Sequence, residues 1–179
     1  MYVRFDGVPE KPGVVIPLSA GELGTDETVE VMRTLIRRSL TDPATKAAAV
    51  AVTAGVDAKD TLGYIRSVWA GVRAKMRYVP DVHKVEELTS PAIHSRRIMS
   101  TGSSWGDCDD FSMVGAAWLL ALGVPARIEV VASPKNGGHF DHVRVAALTP
   151  KGWLPLETTV RKIPFGGAVK TLRVKTYAI

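Results

Sequence analysis

The chain contains a single cysteine, Cys108, within the segment "GDCDDFS". The segment leads directly into an apolar stretch that stops at "LGVP", so Cys108 is predicted to lie in the first turn of a helix. The free N–H groups and the dipole of a helix N-terminus stabilise a thiolate, and later an oxyanion on a carbonyl under attack. Cys108 is therefore either a core residue that fills space, as free cysteines often do, or a nucleophile.

Three aspartates surround this cysteine, and negative neighbours make a thiolate harder to form. Successive residues at the start of a helix project in different directions, so we expect Asp109 and Asp110 to point away from the sulfur. There they would complement the helix dipole or cap the N-terminus, and Asp107 would do likewise. The acids then have a structural role, and a thiolate still needs a cationic partner.

A histidine is the natural partner, and the chain has four. His83 and His94 lie in a segment without clear periodicity, where loop or surface polarity is the expected role. His139 is expected in a turn, whereas His142 opens the alternating pattern "HVRVAAL" that is typical of a strand. A strand can begin opposite the N-terminus of a helix packed on the same sheet, so His142 is the favoured base.

The next predicted strand, "WLPLETTV", carries one acid, Glu157. A carboxylate on the strand beside a histidine can orient the imidazole and select its tautomer. The order Cys108, His142 and Glu157 on helix, strand and strand therefore suggests a nucleophile, a base and an orienting acid.

Metal binding is the alternative chemistry for this region. No Cys-x-x-Cys pair is present, and His-x-x-His at the start of a strand does not direct both rings to one side. A calcium loop is also disfavoured, because "DCDDFS" continues straight into the helix without a glycine turn. We therefore expect no metal, although the donor atoms close in sequence are those of Asp107, Cys108, Asp109, Asp110, His139, Asp141 and His142.

Helices are predicted before the cysteine and strands after it, which favours an α+β fold with an antiparallel sheet. The first twenty residues are typical of short strands and turns. "TDETVEVMRTLIRRSL" predicts a helix capped by Thr25 or Asp26, and Asp42 with Pro43 predicts the start of a second. A third helix is expected over 59–78, irregular structure with one short helix over 79–104, and strands over 126–133, 142–148, 152–160 and 170–178.

Composition limits the function classes further. At 179 residues with 46% hydrophobic residues, the chain suits one globular domain, 1–179. The net charge of +5 comes from scattered basic residues without aromatic interleaving, so nucleic acid is not an expected partner. No signal peptide or membrane-spanning stretch is apparent, so a cytoplasmic protein that does not bind membranes is expected.

Three motifs together resemble the core of transglutaminase-like domains. They are "GDCDDFSMVGAAWLLALGVPAR", "HVRV" and "WLPLETT", in that order over about 106–159. The resemblance implies a papain-like α+β fold, in which the helix that bears the nucleophile packs on an antiparallel sheet. The motif-bearing core would cover about 59–160, with extra helices at the N-terminus. Two residues depart from the pattern: Glu157 replaces the usual aspartate, and Arg144 replaces an aromatic residue, which would alter the floor or charge of the cleft.

The family resemblance implies a cysteine-dependent enzyme that acts on a peptide or protein amide through a thioester. Cys108 would be the nucleophile, His142 the base and acid, and Glu157 the third residue, with no cofactor. Trp105 and Asp107 are candidates for the cleft, with the Trp105 indole N–H also a candidate oxyanion donor. Hydrolysis, as in a peptidase or amidase, is favoured over transfer to a lysine amine.

A catalytically silent binding or structural module is the alternative, because a fold alone does not establish activity. "VEELTSPAIHSRR" followed by "GDCDDFS" is similar to compact transglutaminase-like proteins of bacterial and phage genomes. Such a module could be an assembly component, and a phage-encoded one could be associated with the virion. The sequence leaves the oligomeric state open.

Overall fold

A computed structural model describes residues 2–6, 15–17, 19, 21–81 and 85–179. Within these ranges, helices gather around one central helix, which also packs on a four-stranded antiparallel sheet. The α+β architecture predicted from the sequence is confirmed. His83, expected to be a polar loop residue, lies outside the described residues.

The helices and strands alternate more than the sequence suggests. The helices are α1 Gly21–Ser39, α2 Pro43–Val52, α3 Thr61–Lys75, α4 Pro91–Thr101 and α5 Cys108–Ala121. The strands are β1 Tyr2–Asp6, β2 Val15–Pro17, β3 Met76–Tyr78, β4 Val85–Thr89, β5 Ser104–Gly106, β6 Ala126–Ala132, β7 Phe140–Thr149, β8 Gly152–Leu156 and β9 Arg173–Ala178.

The strands form three sheets. The largest has the order β8-β7-β6-β9 with every pair antiparallel, as predicted. A second sheet has the order β2-β1-β4, in which β1 and β4 are parallel. The third is the parallel pair of β3, which follows α3, and β5, which lies just before α5 in the chain. Strand β5 thus leads the chain into the helix that carries Cys108.

The central helix is α5. It is formed by the apolar stretch that follows Cys108, and all residues from Phe111 to Leu119 are buried. The helix contacts α1, α2, α3 and α4 as well as β7, so it has no face toward solvent over this stretch, and its residues are apolar all round. It ends at Ala121, close to the predicted stop, and Gly123 follows with a left-handed φ of 78° that suits glycine.

The helix starts were predicted with mixed success. Asp42 caps α2 by accepting from the Ala44 N–H at 2.9 Å, and Pro43 opens the helix, as predicted. The caps proposed for α1 are wrong, because that helix begins at Gly21 and contains Thr25 and Asp26. The short helix expected within 79–104 is present as α4, but the rest of that segment is more regular than expected, because β4 and β5 also lie in it.

No helix among the described residues combines the length and hydropathy needed to cross a membrane.

The contact between α2 and α3 depends on a glycine, Gly71, which has no side chain. A Cβ added at Gly71 would lie 2.8 Å from both Cβ and Cγ1 of Val52. We therefore expect Gly71→Ala to destabilise the protein by about 1–3 kcal/mol through overpacking. Urea unfolding should show a lower midpoint. Adding Val52→Ala should reduce the cost of Gly71→Ala, and equal costs in both backgrounds would contradict this explanation.

Candidate active site

The nucleophile candidate opens the central helix. Cys108 is the first residue of α5 and is partly exposed. Asp107 caps the helix, its Oδ1 accepting a hydrogen bond from the Asp109 N–H at 3.0 Å. Asp109 does not point away from the sulfur as expected, because its Oδ1 lies 3.8 Å from Cys108 Sγ. A thiolate at this position therefore has a carboxylate beside it as well as the helix N-terminus.

Asp110 is directed toward the elements that precede α5. Its Oδ1 accepts from the Thr89 N–H of β4 at 2.9 Å and lies 3.2 Å from His94 Nε2 in α4. Both side chains are buried, so the expectation that His94 is a loop or surface residue is wrong. Asp110 joins the first turn of α5 to β4 and α4.

The histidine candidate, His142, and the third residue, Glu157, are joined by a hydrogen bond. His142 Nε2 in β7 lies 2.9 Å from Oε2 of Glu157, which follows β8. The other carboxylate oxygen of Glu157 accepts from the Thr159 hydroxyl at 2.8 Å, the Thr159 N–H at 3.2 Å and the Val160 N–H at 3.3 Å. The longer glutamate arm thus reaches His142 while its other oxygen stays bonded to the backbone.

The main chain of Glu157 is held by hydrogen bonds from α3. Its carbonyl oxygen accepts from Trp69 Nε1 at 2.8 Å and from Arg73 Nη1 at 3.0 Å, both side chains of α3. Glu157 itself is only 1% exposed. Contacts on its backbone and side chain therefore position the carboxylate.

These contacts decide the ionisation of Glu157. Burial alone would raise its pKa, because the charged form loses solvation. The hydrogen bond and charge of His142, together with the hydrogen bonds from Thr159 and Val160, outweigh burial and hold the pKa below its ordinary value of 4.5. The carboxylate is consequently ionised at neutral pH.

Cys108 and His142 line the same cavity, whose volume is about 630 Å³. Glu157 is not among its described lining residues and lies behind His142. Because Nε2 of His142 is bonded to Glu157, Nδ1 is the ring nitrogen that Glu157 does not engage. The other lining residues are Ser19, Gly21, Glu22, Gly24, Thr25, Thr28, Val29, Met32, Tyr78, Asp107, Asp109, Val130, His139, Phe140, Asp141 and Val143.

The N-terminal half of α1 supplies much of this lining, and sequence reasoning missed it. No chemical motif marks these residues, since their role depends on how α1 packs beside β9. Arg173 binds Glu22 at 2.6 Å, and Lys175 binds Asp26 at 2.6 Å. Tyr177 also hydrogen-bonds Asp26. Ion pairs with β9 therefore hold one wall of the cavity.

Tyr78 is a second cavity residue that the sequence did not indicate. Partial burial raises its pKa, and the negative charges of Cys108, Asp107, Asp109 and Asp81 raise it further. Its hydroxyl therefore stays protonated and can act as a hydrogen-bond donor.

His139 and Asp141 also line the cavity. Asp141 accepts from the Ser133 N–H at 2.8 Å and from the Ser133 hydroxyl at 2.5 Å, which closes the turn between β6 and β7. The turn predicted before His142 is thus part of the cavity wall.

Trp105 is placed differently from the expectation. It is 49% exposed, the Arg97 guanidinium lies 4.8 Å from its ring centroid, and it is not among the described residues that line the cavity. This position does not support its role as an oxyanion donor.

Arg144 does not form the cleft floor either. Its Nε donates to Glu129 Oε2 at 2.9 Å across the β6–β7 pair, and both residues are buried. Arg127 donates to the other oxygen of Glu129 at 2.6 Å. The arginine that replaces an aromatic residue thus pairs with a buried acid instead of changing the charge of the cavity lining.

Within the part of the chain that the structure describes, one group of three side chains could hold a metal ion. The donor atoms of Asp107, Cys108 and Asp109 lie within 4.8 Å of one another. Asp107 already caps α5, however, and grouped acids are common without an ion.

The ionisation of Glu157 predicts how stability depends on pH. A carboxylate whose pKa is lowered on folding stabilises the protein fully above its ordinary pKa, and this contribution is lost as pH falls through the lowered value. Wild type should therefore exceed Glu157→Gln in free energy of unfolding near neutral pH. The difference should shrink below about pH 4.5. Urea unfolding measured at several pH values checks this. A difference in free energy of unfolding that stays constant below about pH 4.5 would contradict it. Thr159→Val, which removes one hydrogen-bond donor, should reduce the pH-dependent part.

The solved structures that resemble this chain include two, from Cytophaga hutchinsonii and Parabacteroides distasonis. One is a "putative cysteine protease" from Cytophaga hutchinsonii, 18% identical with a TM-score of 0.51, and the match covers 80% of this chain and 51% of that one. The other is a "putative protease" from Parabacteroides distasonis, 14% identical with a TM-score of 0.49, covering 87% and 30% respectively. The chain thus spans about half the length of the first protein and about a third of the second. At 18% identity, the likeness to the first protein shows the fold alone. A comparison with curated proteins found no match.

A protein family also matches the chain. The transglutaminase-like superfamily matches residues 41–158, which include Cys108, His142 and Glu157. This range extends upstream of the three sequence motifs to include α2 and α3. By this match the chain belongs to the transglutaminase-like superfamily.

Proposed function

We propose that this protein is a cysteine-dependent acyl-transfer enzyme that cleaves amide bonds through a thioester. One observation carries the proposal. The buried, ionised carboxylate of Glu157 holds His142 through Nε2 and leaves Nδ1 of the ring available. His142 lines the same cavity as Cys108, the only cysteine of the chain.

Glu157 sets the protonation of the imidazole. Since its carboxylate can only accept, Nε2 carries the proton, and Nδ1 of the neutral ring is left with a lone pair. Nδ1 can then take the proton of Cys108. The resulting imidazolium supplies the positive charge that the thiolate needs beside Asp109.

The thiolate attacks the amide carbonyl carbon, forming the carbon–sulfur bond and moving the π electrons to oxygen. The N–H of Cys108, at the N-terminus of α5, is the proposed donor to this oxyanion. When the oxyanion collapses, the carbon–nitrogen bond breaks and the leaving amine takes the proton from Nδ1 of His142. The product is a thioester on Cys108 and a free amine.

His142 then activates the acceptor that cleaves the thioester. We propose water as the acceptor, so that the products are a carboxylic acid and the regenerated thiol. The similar fold of a protein named a putative cysteine protease agrees with hydrolysis. Mass spectrometry of a peptide amide incubated with excess amine separates the two outcomes, because amine incorporation would show cross-linking instead.

Thiol reactivity tests the Cys108–His142 pair directly. Iodoacetamide should alkylate wild-type Cys108 faster than a free cysteine at pH 6–7, because the thiolate is already formed. His142→Ala should slow alkylation at least ~10-fold by removing the cation. Cys108→Ser, which should take up no label, is the control. If Cys108 is alkylated slowly and His142→Ala does not change the rate, the result would favour a catalytically silent binding or structural module.

Glu157→Gln tests the role of the third residue. The amide can donate to Nε2 and so favours the tautomer with a proton on Nδ1, which cannot accept from Cys108. We expect kcat on a fluorogenic peptide amide to fall by about 10²- to 10⁴-fold with a smaller change in KM. Thr159→Val keeps the carboxylate and should stay within ~10-fold of wild type. Full activity in Glu157→Gln would remove this residue from the mechanism.

A further inference from the structure

A second imidazole–carboxylate pair lies behind the first turn of α5. Asp110, two residues after Cys108, has its Oδ1 at 3.2 Å from Nε2 of His94. His94 is 0% exposed and Asp110 is 3% exposed, so the pair is closed to solvent. The proposed mechanism uses neither residue.

The carboxylate of Asp110 is held tightly by its surroundings. Thr89 donates its N–H to Oδ1 at 2.9 Å. A Cβ added at Gly106 would lie 2.1 Å from Asp110 Oδ2 and 2.5 Å from its Cβ. The glycine of the "GDC" segment therefore leaves the space that the Asp110 side chain occupies.

The imidazole is held at its other nitrogen. His94 Nδ1 lies 2.8 Å from the Ser104 hydroxyl in β5. Nε2 lacks an aligned hydrogen bond within the described residues and faces the Asp110 carboxylate instead. Since a buried polar nitrogen is costly unless a partner compensates it, this contact matters for the local structure.

We propose that His94 is a positioning residue that acts through Asp110 to hold the first turn of α5, and therefore Cys108 Sγ, opposite His142. The inference rests on the proposed function. An apolar contact would hold the helix but would not orient its first turn, whereas a charge facing an imidazole nitrogen has a preferred direction. Small displacements at a reacting atom cost rate steeply, about 10²-fold for 1 Å.

Two amide variants of His94 separate positioning from packing. The Gln amide nitrogen can occupy the place of Nε2 and contact Asp110, whereas the shorter Asn amide replaces Nδ1 and contacts only Ser104. His94→Gln should keep kcat and the Cys108 alkylation rate within ~3-fold of wild type. His94→Asn should lower both by about 10- to 100-fold with little change in KM, and should shift the pH profile of alkylation.

Asp110→Asn provides the test if the histidine variants do not fold. It keeps an acceptor for the Thr89 N–H but removes the charge that faces His94, so we expect the same loss of kcat and of alkylation rate. Circular dichroism confirms that each compared variant is folded.

The outcomes separate the two proposals. A fast wild-type thiol, with His94→Asn or Asp110→Asn as reactive as wild type, overturns the positioning role alone. A wild-type thiol no faster than free cysteine overturns the proposed function, and the positioning role with it.

Discussion

The site depends on the hydrogen bond between His142 and Glu157. Glu157 is buried, and both of its carboxylate oxygens are bonded, so its position and its charge are set by the fold. The α3 side chains that hold its carbonyl connect this bond to the helical half of the molecule. The orientation of the imidazole is therefore a property of the packing between helices and sheet, and not of the histidine alone.

The other half of the site depends on α5. A helix enclosed by four others and by β7 has little freedom to shift, and Cys108 at its N-terminus packs against the core and also lines the cavity. Asp107 caps that end, and Asp110 ties it to β4. The acids that first seem to oppose a thiolate thus have two kinds of role: Asp107 and Asp110 shape the helix start, while Asp109 stays beside the sulfur.

The sequence was most informative where the signals are local. The capped helix start, the glycine stop and the alternating strands are short-range patterns, and they predicted α5 and most of the antiparallel sheet. The strands β4 and β5 were missed because they pair in parallel with distant segments and are too short to show alternation. His94 was misjudged for the same reason, since its burial depends on α4, which was not predicted with a buried face. The contribution of α1 to the cavity, and the pairing of Arg144 with Glu129, depend on tertiary packing that no local pattern encodes.

The wall formed by α1 has a mechanical consequence. It lies outside the residues that match the superfamily, and it is joined to β9 by ion pairs whose side chains are about half exposed, Glu22 with Arg173 and Asp26 with Lys175. Exposed ion pairs are weak and are screened by dissolved ions, whereas the bonds around Glu157 are shielded from them. One attachment of the α1 wall is accordingly weak and sensitive to ionic strength, whereas the side of the cavity that carries the imidazole is held by buried bonds.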